Sequence, residues 1–305
     1  MDAAQLKRAL SEAGLRPNAA LGQNFCVDEA RLAAIADVAD VAGRPVLEVG
    51  PGLGALTEPL LARAARVVAV EKDAALAALL RARLATAGAR LAVYAADILR
   101  FDVAAAMEAA PGGPTPPAPG GSGNPGDSGG PGAPGSPAAP AAPAPGATFC
   151  VAGNLPYYIT TPIVERLLPL LPLSLTLMVQ REAAARFSAG PGARVYGPVA
   201  VFSQLCYTVQ HVMDVPRDSY YPQPDVDSSV VRLARRDALP GAEPAALLAF
   251  LHRAFAMRRK TLWNNLGRAP QAAAALAALG LPADVRAEAL PPAALLAVFQ
   301  ALNGS

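Results

Sequence analysis

The chain has 305 residues, 53% of them hydrophobic, enough for one large domain with a smaller one beside it. A formal net charge of +2 is too small to attract nucleic acid in bulk, so an RNA surface has to come from local clustering. Cys26, Cys150 and Cys206 are scattered without metal-ligand spacing, no apolar run reaches ~18 residues and the N-terminus lacks a hydrophobic signal core. These features argue against a disulfide framework, a metal site and a membrane span, and a cytoplasmic monomer is expected.

Residues 3–14 predict a short amphipathic helix ended by Gly14. Leu21-Gly-Gln-Asn-Phe-Cys-Val-Asp28 has no period and on composition alone reads equally well as a linker. Asp28 suits the N-cap of a helix running to Gly43, with Leu32, Ile35 and Val38 or Ala39 inward. Residues 45–50 form a buried-type strand that passes directly into Gly50-Pro-Gly-Leu-Gly54. A helix follows from near Ala55, with Leu56, Leu60 and Leu61 as its core face, and then an apolar strand, 67–71, that ends in Glu71. Strand, glycine turn, helix, strand and terminal acid make a βαβ nucleotide-binding unit. The glycines let a ligand approach the backbone, and Glu71 suits two ribose hydroxyls. Gly50-x-Gly52-x-x-Ala55 also satisfies the dinucleotide fingerprint, so the nucleotide stays open at this point. A helix over 73–87 leads to a third strand, 91–97. Asp97 at its end either binds the amine of an adenine ring or only caps a helix.

Residues 111–147 contain 12 Pro and 11 Gly, with Asp127 as the only charge. Such a segment is expected to be a disordered or polyproline-like insertion, dispensable for folding. An apolar strand, 148–153, then runs into Asn154-Leu-Pro-Tyr-Tyr158. The Asn154 side chain and the Leu155 carbonyl accept hydrogen bonds, Tyr157 offers a flat π face, and Pro156 stiffens the turn. A planar group with an exocyclic amine, such as adenine, fits this turn. Thr161-Pro162 starts a helix. A strand at 173–180, helices at 181–188 and 196–207, and two edge strands, 208–215 and 228–233, pairing antiparallel complete the sheet. From Pro244 onward only helices are predicted, at 244–257, 259–266, 271–279, 283–289 and 292–302. Between Pro244 and Ala283 stand Arg253, Arg258, Arg259, Lys260 and Arg268 with no acid, and Trp263 among them, a composition suited to phosphate contact.

With these motifs in hand, the chain closely resembles the ribosomal RNA adenine dimethyltransferases that modify small-subunit rRNA. The resemblance rests on Leu21-Gly-Gln-Asn-Phe25, Leu47-Glu-Val-Gly-Pro-Gly-Leu-Gly54, Asp97 with Phe101-Asp102, and Asn154-Leu-Pro-Tyr-Tyr-Ile159. It extends through Tyr196-Gly197, Pro222-x-Pro-x-Val-Asp-Ser-Ser-Val-Val-Arg232 and Arg258-Arg-Lys-Thr-Leu-Trp-Asn-Asn-Leu266. The N-terminal motifs are shared with large-subunit rRNA methyltransferases of the resistance type, and the Arg-Arg-Lys-Thr stretch points to the small-subunit branch. The resemblance implies a Rossmann-like α/β methyltransferase sheet over residues 1–237 and an all-α RNA-contact domain over 238–305. It implies S-adenosylmethionine held by Asn24, Cys26, Gly50, Gly52, Glu71, Asp97 and Asn154, with no metal. It further implies catalysis by Asn154 and the Leu155 carbonyl, stacking of the target base on Tyr157 with Tyr220 as a second face, and RNA contact by Arg253, Arg258, Arg259 and Lys260. The implied reaction is N6,N6-dimethylation of two adjacent adenosines near the 3′ end of small-subunit rRNA, in a ribosomal assembly intermediate. Three departures stand out: Cys26 where the family usually has Leu, Asn18-Ala19-Ala20 where it tends to carry Lys or Arg before Leu21, and the long insertion over 111–147. The glycine turn and Glu71 alone also suit an NAD-dependent oxidoreductase, but that reading lacks a hydride-site His or Lys and leaves Asn154–Tyr157 unexplained. A non-catalytic assembly factor is the third reading, against which the intact Glu71, Asp97 and Asn154 set argues.

Overall fold

The computed structural model describes residues 1–109 and 147–303. The expected disordered insertion therefore lies outside the described residues except for Ala147, which is buried in the core and accepts from Arg235 through its carbonyl. Helix α1 (Ala3–Glu12) opens with a capping box between Asp2 and Gln5. After β1 (Phe25–Cys26), helix α2 (Glu29–Val38) is capped by Asp28. It stops five residues short of Gly43, because Asp40 turns left-handed at φ 52°.

The α/β body follows as β2 (Pro45–Val49), α3 (Thr57–Leu61), β3 (Arg66–Glu71), α4 (Ala74–Arg83), β4 (Leu91–Ala95), α5 (Val103–Glu108) and β5 (Cys150–Asn154). It continues through α6 (Thr160–Leu167), β6 (Ser174–Gln180), α7 (Arg181–Ser188), α8 (Pro198–Cys206), β7 (Tyr207–Val215), β8 (Tyr220–Tyr221) and β9 (Ser228–Arg235). Strands β2, β3, β5 and β6 are near-continuous apolar runs because helices cover both faces of their sheet. Seven strands lie in the order β4-β3-β2-β5-β6-β9-β7; the first five are parallel, and β9 and β7 join antiparallel, as the residue pattern predicts. From β2 the chain winds outward through β3 and β4, then returns to β5 on the other side. The β2/β5 boundary is thus the topological switch point, where an open α/β sheet leaves a crevice at its carboxyl ends.

Residues from Pro244 on are helical: α9 (Pro244–Ala254), α10 (Leu262–Asn265), α11 (Pro270–Ala278) and α12 (Pro292–Asn303). The helices predicted at 259–266 and 283–289 shrink to the four residues after the Thr261 cap and to one 3-10 turn, Ala287–Ala289. Leu251, Leu262, Leu295 and Val298 are fully buried and share one cluster with Phe202 and Tyr207 of the sheet layer. The opposite face packs Leu32, Ile35, Leu60 and Leu80. A third, small cluster seats Leu6 and Leu10 of α1 on Leu53 and Leu76, which roofs the switch-point crevice.

Candidate active site

The crevice is built first by glycine. Gly50, Gly52 and Gly54 have φ of 66°, 55° and 86°, a region that side chains rarely adopt, so the chain reverses sharply after β2. A Cβ on Gly52 would stand 2.8 Å from the Phe25 ring. Phe25 thus lies directly on the glycine turn, and the N-terminal segment is a strap over the site and no linker. Further bonds hold the strap. Gln23 donates to Asp73 at 3.1 Å, and β1 pairs antiparallel with β8, Phe25 opposite Tyr221 and Cys26 opposite Tyr220. The Tyr158 ring rests against Gly22, where a Cβ would meet it at 3.0 Å.

The resulting cleft is open to solvent and is lined by Asn24, Cys26, Gly50, Gly52, Glu71, Asp97, Asn154, Leu155 and Tyr157 together. Sequence reasoning also missed residues there: Lys72, Tyr158 and Glu48 line the same space. Glu48 carries a legible signal, a charge in the middle of the apolar strand β2.

Glu71 ends β3 and is 7% exposed. Its two oxygens accept from the Gly52 amide at 3.0 Å and the Asp73 amide at 2.9 Å, and each keeps a lone pair for a ligand hydroxyl. Burial raises its pKa, and these amides oppose the rise. Asp97 accepts from the Leu99 amide at 3.0 Å and pairs with Lys72 at 3.0 Å. Burial pushes its carboxyl up, but the Leu99 amide and the Lys72 ammonium outweigh that and hold it below its ordinary value. Glu48 is 1% exposed and accepts from the Thr57 hydroxyl at 2.7 Å. Desolvation lifts its pKa to about 8, so at neutral pH it is mostly protonated. Burial likewise lifts the Cys26 thiol to about 11, which leaves it neutral and space-filling.

Asn154 ends β5 across the switch point from Gly50. Its Nδ2 donates to the Asn24 carbonyl at 2.9 Å, which leaves Oδ1 as the acceptor for a ligand amine. Tyr157 donates to or accepts from Ser228 at 2.8 Å. Tyr220 departs from the expected second stacking face. It is 4% exposed, is paired in β8 and does not line the cleft, because the β1–β8 ribbon turns it into the core under α2.

The expected RNA contacts divide. Arg253, Arg259 and Lys260 are exposed. Arg258 is exposed as well but is also engaged: it pairs with Glu288 at 2.9 Å and donates to the carbonyls of Ala193 and Arg194, tying the α9–α10 connection to the loop before α8. An acid outside the acid-free run thus reaches one of the four expected contacts. Among the described residues no group of three or more His, Cys, Asp or Glu is arranged to hold a metal, and no helix is long and apolar enough to cross a membrane.

Comparison with known proteins agrees with this geometry. The chain is 39% identical to ribosomal RNA small subunit methyltransferase A of Deinococcus radiodurans, across 98% of this chain and 90% of that protein. It is 37% identical to the protein of the same name from Phenylobacterium zucineum, across 97% and 92%. Among solved structures it superposes on the 23S rRNA methyltransferase ErmE with a TM-score of 0.58 and 26% identity, covering 92% of this chain and 99% of that one. A dimethyladenosine transferase from Plasmodium falciparum, at 22% identity and a TM-score of 0.63 over 90% and 96%, shares the fold. The family model for ribosomal RNA adenine dimethylase matches residues 14–304, and the glycine turn, the two strand-end acids and the Asn154 turn all fall within that span. The chain belongs to the ribosomal RNA adenine dimethylase family.

Proposed function

We propose that the protein transfers methyl groups from S-adenosylmethionine to the exocyclic amines of two adjacent adenosines near the 3′ end of small-subunit rRNA, two per base. The observation that carries this is Asn154. Its amide is held by the Asn24 carbonyl through Nδ2, which leaves Oδ1 as an acceptor on a residue that lines the cleft with Glu71 and Asp97.

Glu71 is the group suited to the ribose hydroxyls, since both its oxygens are fixed by backbone amides and keep free lone pairs. Asp97 suits the adenine amine of the cofactor, and Gly50 and Gly52 admit it close to the backbone, with Asn24 and Cys26 closing the strap side. When bound, S-adenosylmethionine supplies an electrophilic sulfonium methyl. Asn154 Oδ1 and the Leu155 carbonyl then accept the two N–H groups of the target amine. This holds the nitrogen pyramidal and frees a lone pair otherwise delocalised into the ring. Positioning thus supplies most of the acceleration; the nitrogen that gains the methyl then gives up one proton to solvent, so no general base is needed. Swinging the base out of its stack costs a few kcal/mol. Stacking on Tyr157 returns roughly 1–3 kcal/mol.

The small-subunit assignment follows the relatives' name, and the exposed Arg253, Arg259 and Lys260 of the helical unit, residues 238–305, are its RNA contacts. The substrate is an assembly intermediate, met by a monomer in the cytoplasm. Incubating the protein with unmethylated small subunits and labelled cofactor tests the reading. Labelled dimethyladenosine at two adjacent positions is expected. No label, or label in any product other than dimethyladenosine, overturns it.

A further inference from the structure

A contact behind the Asn154 turn has no part in the chemistry above. The Tyr157 hydroxyl lies 2.8 Å from Ser228 Oγ, 71 residues away in the chain, and Ser228 is fully buried. The Tyr220 hydroxyl is buried beside the same pair, close enough to interact with both, but Tyr157 is the partner at full hydrogen-bond geometry. Ser228 opens β9. Because β9 runs antiparallel, its first residue lies on the sheet edge where β5 and β6 end, opposite Gln180 of β6 and Val215 of β7. Strands on both sides fix its position.

Tyr157 has no such support of its own. It belongs to a one-turn 3-10 segment, Tyr157–Ile159, that follows Pro156 outside the sheet. Its ring therefore hinges on a short turn at Cα, and its hydroxyl is hydrogen-bonded to the sheet at Ser228. A ring tied at both ends has one place to stand, and an untied one has a fan of rotamers.

We propose that Ser228 is a positioning residue, which holds the Tyr157 ring at a set distance from Asn154 so that a stacked base presents its amine to Asn154 Oδ1 and the Leu155 carbonyl. This rests on Tyr157 being the stacking face. Ser228 touches no substrate and acts only through the tyrosine hydroxyl.

The test is a double-mutant cycle of Ser228→Ala, Tyr157→Phe and the pair, read as kcat on unmethylated small subunits with saturating cofactor. Each single change is expected to lower kcat about five- to tenfold, the worth of one hydrogen bond. The pair should lose no more than either alone, and cofactor KM should stay put. Losses that multiply, or no loss in either single variant, overturn the proposal. Should Ser228→Ala fail to fold, Tyr157→Phe decides alone, and unchanged kcat sinks the idea. If the wild type methylates nothing, the functional reading has failed. The tether is then judged by nuclear magnetic resonance, which should show an exchange-protected Tyr157 hydroxyl proton in the wild type that vanishes in Ser228→Ala. Its absence from the wild type overturns the tether.

Discussion

Two residues carry most of the chemistry legible at the scale of single side chains. Asn154 is held by Asn24 at 2.9 Å, so Asn154→Ala removes an amine acceptor without unmaking the turn. We expect kcat to fall about a hundredfold or more, with cofactor affinity changed far less, by single-turnover assay and calorimetry. Unchanged turnover would refute the role given to Asn154. Glu48 is the other, and its signature is in stability. Its folded pKa of about 8 stands above the ordinary 4.5, so the folded state holds the proton more tightly than the unfolded chain. The corresponding stability is complete below pH 4.5 and is lost as pH rises towards 8. Glu48→Gln keeps the Thr57 bond and removes the titration. Thermal melts from pH 5 to 9 should therefore show a flatter decline in the variant, with its largest advantage at the alkaline end. Parallel curves would mean that Glu48 is already ionised in the folded state.

Among the elements, β2 and β5 decide whether the site exists, because the glycine turn leaves one and Asn154 ends the other. Val49 stands opposite Gly153, and a Cβ on Gly153 would come within 2.6 Å of the Val49 carbonyl oxygen. The neighbour is backbone and cannot swing away. Gly153→Ala is expected to cost about 1–3 kcal/mol of overpacking. The melting temperature should drop by roughly 2–4 °C per kcal/mol, and activity should fall with it as Asn154 shifts. A variant with wild-type melting and activity would mean that the strands separate freely. This element level is also where the sequence was most legible. Glu71 and Asn154 end their strands, Gly50 follows β2 directly and Asp97 lies two residues past β4, and apolar runs of five or so residues mark strand ends well. The strap was not legible from pattern, since residues 21–28 lack period and their order comes from Phe25 seated on Gly52 and from β1 paired with β8 across some 195 residues. The same long-range pairing buried Tyr220, which nothing local to Tyr220-Tyr-Pro-Gln-Pro announces.

For the whole molecule, the proposed function divides RNA binding between the cleft of the sheet and the helical unit. Charge counting put Arg253, Arg258, Arg259 and Lys260 in one class, but packing separates them. Arg258 reaches Glu288 and two carbonyls of the 193–194 loop, so it fastens the helical unit to the loop before α8. The other three project into solvent. The two groups should therefore fail differently. Arg258→Ala is expected to lose about 1–2 kcal/mol of stability, discounted because the side chain is 45% exposed, and to lower the melting temperature by a few degrees. Arg253→Ala, Arg259→Ala and Lys260→Ala together should leave the melt unchanged. They should weaken binding to small subunits and reduce the slope of log affinity against log salt by about 2–3, roughly 0.7–0.9 for each phosphate contact removed. Salt titration of binding with both variants separates a fastener from a phosphate surface. A triple variant whose salt slope matches the wild type would move the RNA contacts away from this helical unit.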